Sequence, residues 1–502
     1  MTSIYICNSL IYLGGFMLFN SLDYLLVFLP ITFAVYNISK TLNVTLSKWI
    51  IIILSVFFYN FITSKYFPVL IISCVLNYIC YIAIELKYKP KIALIVGILL
   101  NVASLCYFKY ISITLIAFGF NSGSWAASLG LPLAVSFFTF QQISFLVDKF
   151  NGKIDKVNIT DYLYYITFFP KLIAGPITRY GDLMPQTHNK MVVKSSEIIS
   201  GLVILSIGLF KKIIISSYFA GIADAGYSTT STLSFFEAWS TSLAYTVQIY
   251  FDFSGYSDIA IGSAFLLGIK LPINFNSPYK SKNIREFWDR WHISLSTWLR
   301  DYVYIPLGGS RKGELKTYLN ILTTFIISGA WHGVGFNFII WGLMHGIATS
   351  INKYWSTLNY KMNKYIAWFI TFQFINLTWI PFRAESLNDS YNVVKAMFTP
   401  ISKHELYLGI TGLIASTQSL ISLFPQSIIP GLNSPVIVLI ATIFLLLYCF
   451  AMKNSNQIGY YYGGNTSPIK IRWVFLAGII FTISIIGLFG GVSKSQFIYA
   501  AF

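Results

Sequence analysis

The sequence predicts an all-α integral membrane protein, a multi-span helical bundle, on three observations. First, 56% of the 502 residues are hydrophobic and only 11% are charged, with a mean hydropathy of +0.66. No single soluble core hides that much apolar surface, so lipid is the expected solvent. Second, apolar stretches of about the length that crosses roughly 30 Å of hydrocarbon recur along the chain. Trp49 to Thr63, Phe67 to Ile84, Val436 to Met452 and Trp473 to Gly491 are examples. Third, the net charge of +17 sits in short connections between such stretches and forms no basic arm or stripe. That pattern fits the positive-inside rule and argues against nucleic acid as a partner.

Taken in order, the chain is expected to make about ten to twelve spans. No Lys or Arg precedes Lys40, so the charged n-region of a cleavable signal peptide is missing and the N-terminal stretch is expected to stay. Met17 is an alternative start, because the segment before it is short and interrupted by Gly14 and Gly15. The connections Lys40 to Lys48 and Lys87 to Lys91 are assigned to the cytoplasm and Lys65 to the outside. Cys7, Cys74, Cys80, Cys106 and Cys449 fall in apolar stretches without metal or redox spacing and are expected to be free. No internal repeat or low-complexity linker interrupts residues 1–502, so one polytopic membrane domain is the simplest organisation.

The most polar region, Lys270 to Lys316, carries nine basic and four acidic residues, an excess that places it on the cytoplasmic side. Within it, Ile284, Phe287, Trp288, Trp291, Leu295, Trp298 and Tyr302 recur mostly at steps of three or four. The spacing predicts one amphipathic helix, with Arg285, Asp289, His292 and Ser296 on its polar face. Downstream, Thr317 to Gly346 is apolar but broken by Ser328 to Gly335, which reads as two helical segments meeting at a glycine-rich break. Irregular backbone at membrane depth is tolerated only inside protein or beside a water-filled cavity, so His332 is expected to face a cavity and not lipid.

Chemistry is sought first among the five histidines, His188, His292, His332, His345 and His404. His332 is the one most clearly embedded in an apolar block, where an ionisable group is a functional candidate by default. The bland reading is a structural histidine bonded to a neighbouring helix. His345 lies thirteen residues further on, which on a continuous helix is a different face, so it is assigned a supporting or structural place. Asp289 one turn before His292 and Ser296 one turn after suit either an oriented ring or a solvated face. His188 and His404 fall in polar connections and read as incidental. Asp252 and Asp258 sit within the otherwise apolar Tyr245 to Leu267; they either orient a histidine or polar pocket, or bond one helix to another. Gly308 to Gly313, with Arg311 and Lys312, suits either a phosphate cradle or a plain basic turn. No HExxH, Cys/His zinc cluster, GxSxG elbow or Walker sequence is present, and no metal is expected.

Several ordered motifs resemble the bacterial membrane-bound O-acyltransferase family, in its alginate O-acetyltransferase branch. They are Phe169-Pro170-Lys171-Leu172-Ile173-Ala174-Gly175-Pro176-Ile177-Thr178-Arg179-Tyr180, the run Gln248 to Gly262 around Asp252-Phe253-Ser254-Gly255-Tyr256-Ser257-Asp258, and Asn274-Phe275-Asn276-Ser277-Pro278-Tyr279. Phe287-Trp288-Asp289-Arg290-Trp291-His292-Ile293-Ser294-Leu295-Ser296, Tyr304-Ile305-Pro306-Leu307-Gly308-Gly309 and Gly329-Ala330-Trp331-His332-Gly333 complete the series. The likeness covers roughly residues 16 to 350; residues 351–502 match in hydropathy and in the aromatic tail only.

The resemblance implies helices around a central tunnel and funnel, and acyl transfer from a cytoplasmic thioester, acetyl-CoA, for O-acetylation of a cell-surface or extracellular polysaccharide across a bacterial inner membrane. It carries the family's characteristic histidine onto His332 and its second onto His292. A hydroxyl with a pKa near 10 or above needs a base with a pKa near 7, which neutral imidazole supplies, so His332 is assigned the base. Burial is expected to lower its pKa and keep the ring available. His292 is expected to hold substrate or shape the tunnel, and Arg311 and Lys312 to attract the anionic CoA. Phe497-Ile498-Tyr499-Ala500-Ala501-Phe502 is similar to the branch's aromatic terminal hexapeptide, proposed to carry the acyl group, with Ala500 where an aromatic is usual. Tyr499 is therefore either an acyl shuttle or part of an interfacial aromatic anchor. A periplasmic partner of the serine-hydrolase-like (SGNH) type is implied as well. A transporter or flippase, or a scaffold for a separate acetyltransferase, is the rival reading.

Overall fold

The computed structural model describes residues 17–117, 132, 134–173, 175–188, 193–358, 360–401, 440, 442–447, 452–459, 469–490 and 498, and every regular element among them is a helix. Seven of these helices are long and apolar enough to cross a membrane: Tyr24–Leu42, Val44–Ile62, Ser64–Glu85, Pro90–Ile111, Ser195–Tyr227, Lys364–Arg383 and Ile471–Phe489. The expected stretches Trp49 to Thr63, Phe67 to Ile84 and Trp473 to Gly491 coincide with three of them, while most of Val436 to Met452 lies outside the described residues. Three further helices, Phe235–Leu266, Glu314–His332 and Phe336–Thr357, have the length but a more polar make-up. These carry the candidate site. The chain forms two compact units, Met1–Leu202 with Ile259–Leu271, and Val203–Asp258 with Pro272–Phe502.

The first unit is turned inside out relative to a soluble protein. Ile38, Ile53, Ile72, Ile79 and Leu99 are exposed, as lipid-facing side chains should be, and polar groups are paired inside. Lys48 Nζ donates to Asp161 at 2.6 Å, and Asn101 Nδ2 to Asn77 Oδ1 at 2.6 Å. Lys171 Nζ donates to Gln141 Oε1 at 2.6 Å and lies 4.2 Å over the Tyr165 ring. The connection expected over Lys40 to Lys48 shrinks to Asn43, whose side chain accepts from the Thr45 and Leu46 amides and caps the next helix. Lys40 and Lys48 are accordingly buried on helices. Cys74, Cys80 and Cys106 are free thiols, as anticipated, while Cys7 and Cys449 lie outside the described residues.

In the second unit, helix Leu387–Met397 starts at Ser386, whose hydroxyl accepts from the Asp389 amide at 3.1 Å. Its face of Val393, Ala396 and Met397 packs on Ala238 and Ile380. The indole Nε1 of Trp239 donates to the Met397 carbonyl at 3.0 Å, closing this corner.

Candidate active site

Helix Glu314–His332 ends on His332 because Gly333 is fully extended (φ −164°) and Gly335 takes φ +129°, a conformation that glycine alone adopts freely. The chain then reverses into helix Phe336–Thr357, and the two helices pack at glycines. A methyl added at Gly329 would lie 2.2 Å from the Phe338 carbonyl oxygen, and one at Gly342 2.3 Å from that of Phe325. The break is thus a three-residue turn in an antiparallel hairpin, narrower than Ser328 to Gly335. It also corrects the angular argument about His345. His332 and His345 belong to successive helices, and Trp341 lies between their rings, 4.9 Å from one and 4.8 Å from the other. His332 is buried, its ring also against Trp331 at 4.5 Å and Phe382 at 5.2 Å, so it faces protein and not lipid.

The amphipathic helix expected over Ile284 to Tyr302 is broken. Short helices Ile284–Trp288 and Ile293–Leu299 flank His292, which sits at φ +43°, ψ 51°. A left-handed histidine is uncommon, and here hydrogen bonds hold it on both sides. Ile293 N–H donates to the Asn274 carbonyl at 3.0 Å, and Ser294 donates to Asn274 Oδ1 from its amide at 3.2 Å and its hydroxyl at 2.6 Å. Asn276 N–H donates to the Arg290 carbonyl at 2.9 Å. The kink swings His292 off the polar face and into the interior, where its ring meets Phe253 at 4.6 Å and Trp331 at 6.4 Å. Asp289 stays exposed and does not accompany it inward. The apolar stripe itself is buried as expected at Ile284, Phe287, Trp291, Leu295 and Trp298. Burial alone pushes the His292 imidazole down to about 3, so it is neutral at physiological pH.

Three histidines therefore share one aromatic layer. Beside it opens a cavity of about 1300 Å³. Lys282, Arg285, Arg300, Lys353 and Lys364 line it together with one acid, Asp289, while Trp288, Phe325, Met344, Ile347 and Phe374 make its apolar wall. Ser328 also lines it and stands one helical turn, about 6 Å of rise, from His332. Arg311 and Lys312 are exposed and outside this lining. Gly308 and Gly309 have φ of +116° and +56°, and the Gly309 carbonyl accepts from Asn320 Nδ2 at 2.9 Å. That turn is built by internal bonds. His188 is exposed, and His404 lies outside the described residues.

Residues 147–381 match the model of MBOAT, the membrane-bound O-acyltransferase family. The chain is 42% identical over 422 residues to "Peptidoglycan O-acetyltransferase" of Helicobacter pylori, covering 76% of this chain and 80% of that one. The chain belongs to the membrane-bound O-acyltransferase family. It is 36% identical over 407 residues to "Probable alginate O-acetylase AlgI" of Pseudomonas aeruginosa, covering 76% and 75% of the two chains. To "Teichoic acid D-alanyltransferase" of Bacillus subtilis it is 30% identical over 243 residues, 46% of this chain and 60% of the other. The protein is a multi-pass membrane O-acyltransferase, and the transporter and scaffold readings give way to acyl transfer.

The two intramembrane carboxylates of this acyltransferase bond one helix to another. Asp252 pairs with Lys212, and Ser216 Oγ donates to the same carboxylate oxygen at 3.1 Å. Lys211 Nζ donates to Asp258 at 2.6 Å, where Ser455 Oγ also donates at 2.7 Å. Gly255 between the acids makes this approach feasible, since a methyl there would lie 2.8 Å from the Gly208 carbonyl and 2.9 Å from the Lys212 amide nitrogen. Lys211 and Lys212 were missed as site residues, although two adjacent lysines inside an apolar helix are the signal that finds them. Tyr499 lies outside the described residues. Its predecessor Ile498 donates its backbone N–H to Asp252 Oδ2 at 3.0 Å.

Proposed function

We propose that this enzyme takes an acetyl group from acetyl-CoA on the cytoplasmic side of a bacterial inner membrane and delivers it for O-acetylation of a cell-envelope glycan. Peptidoglycan stands ahead of alginate as acceptor, because the peptidoglycan relative keeps 42% identity over 422 residues, whereas an alginate relative reaches 42% over only 274 and another, matched over 407, stays at 36%. The observation that carries the reading is the cavity. Five cations and an apolar wall suit a nucleotide diphosphate attached to a long thin arm, and the wall comes within one turn of His332.

In the proposed reaction His332 accepts the proton of the acceptor hydroxyl as its oxygen attacks the thioester carbonyl. The C–O bond forms, the C–S bond breaks, and the proton passes to the leaving thiolate. His292, neutral and fixed by its clamp, shapes the interior beside the reacting groups. Tyr499 is the proposed first acceptor, since a tethered phenol gains effective concentration and an aryl ester is a good donor to a second nucleophile. A serine-hydrolase-like periplasmic protein of the SGNH type is the partner that would receive it.

The test is transfer of radiolabelled acetyl from acetyl-CoA by the purified protein. His332→Ala is expected to lose roughly 10²- to 10⁴-fold in rate, the range for a general base, with membrane levels near wild type. Activity within threefold of wild type removes His332 from the mechanism.

A further inference from the structure

We infer that Asp252 anchors the segment that bears Tyr499, so that the carboxylate acts as a positioning residue for the acyl-accepting phenol; this rests on the tethered-tyrosine reading above. The two oxygens of Asp252 are divided between two tasks. Oδ1 takes the Lys212 ammonium and the Ser216 hydroxyl, both from the helix opposite. Oδ2 takes the Ile498 amide, 246 residues away in sequence. Asp258, one and two-thirds turns further along the same helix, receives Lys211 and Ser455 on Oδ2. Of the two acids in the motif, Asp252 is the one that holds residue 498.

The place of the anchor gives it a use. Asp252 is almost wholly buried, and the next residue, Phe253, packs its ring edge-on against His292. Residue 498, held at Asp252, is therefore held one residue along the helix from a wall of the histidine layer. Tyr499 follows Ile498 directly, and a chain fixed at one residue leaves its neighbour a single peptide unit, about 3.8 Å between Cα atoms, of latitude. Recognition through a main-chain N–H also suits a segment whose side chains do other work, because any residue except proline at position 498 supplies the donor.

Ile498→Pro removes that donor and leaves the Asp252–Lys212 pair intact. It is expected to lower glycan acetylation in cells about tenfold, the order expected for one hydrogen bond to a charged group, and Ile498→Ala, which restores the N–H, should recover most of it. Hydrogen exchange at the Ile498 amide, followed by mass spectrometry in the full-length protein, should be at least about tenfold slower than in the free peptide Lys494–Phe502. The double variant Asp252→Ala/Lys212→Met, which leaves neither charge alone in the interior, should abolish that protection. Exchange as fast as in the free peptide, protection that survives the double variant, or equal acetylation by Ile498→Pro and wild type overturns the anchor. The tyrosine reading fails separately. Normal acetylation in Tyr499→Phe with a protected Ile498 amide ends the shuttle and leaves the anchor standing, whereas loss in Tyr499→Phe with normal Ile498→Pro ends the anchor alone.

Discussion

His332 and His292 reach the same aromatic layer by opposite means. The hairpin that carries His332 is built by omission, since Gly329, Gly342 and Gly333 lack the side chains that would keep two helices apart. The segment that carries His292 is built by addition, with Asn274 bonding to residues on its far side while the backbone holds a left-handed turn. One histidine ends a regular helix; the other interrupts one. The difference teaches where each is fragile: the hairpin fails when something is put in, the clamp when something is taken out.

The largest expected effect tests the hairpin. Gly342→Val places atoms 2.3 Å or less from a backbone oxygen, which cannot move aside as a side chain can. Most of the protein should be lost from the monodisperse peak on size-exclusion chromatography in detergent, and a normal yield would show that the helices do not pack at this glycine. Next comes the clamp's histidine. His292→Asn and His292→Leu both remove the ring that shapes the interior and should both lose roughly a hundredfold in acetyl transfer, the scale of a misplaced reacting group. Only leucine is ill suited to positive φ, so its thermal midpoint should fall below that of the asparagine variant. Equal midpoints would mean that the left-handed turn stores no strain.

Asn274→Ala sharpens the comparison further, because it deletes the acceptor of two clamp bonds but touches no substrate in the proposed mechanism. A kcat lower by about tenfold with KM for acetyl-CoA unchanged is the expected split; a change confined to KM would make the clamp part of donor binding. The smallest effect concerns the cations. Arg285→Ala, inside the cavity lining, should raise KM for acetyl-CoA several-fold, while Arg311→Ala should leave it within twofold. The reverse order would return the donor site to the glycine turn.

Much of the fold was legible because lipid imposes length and hydropathy on a span, and the burial of His332 within protein was legible because an ionisable group in an apolar block is kept away from lipid. His292 was harder. Its aromatic stripe keeps helical spacing straight through Trp291 and Leu295, and nothing in that periodicity announces that the backbone turns left-handed between them. The same blindness placed His345 on the wrong footing, since an angle counted along one helix has no meaning once Gly333 to Gly335 have reversed the chain. Asp252 and Asp258 were visible as anomalies, but whether they meet a histidine or a lysine depends on a pairing across about forty residues that spacing alone does not supply. With Lys211 and Lys212 set opposite them, the pairing becomes readable as two charges of each sign flanking one glycine.

Those four charges bear on how the chain enters its membrane. Lysine at the middle of a helix costs about 2.5–3.5 kcal/mol at the insertion machinery, and the stretch Ser195–Tyr227 carries two in sequence. The opposing carboxylates lie on the very next long helix, with only residues 228–234, which include the short turn Thr230–Thr232, between the two helices. The two helices thus form a charge-matched hairpin that leaves the translocon most readily as a unit. A truncated chain ending before Asp252 should insert its lysine-bearing helix poorly, and extension of the nascent chain past Asp258 should restore it.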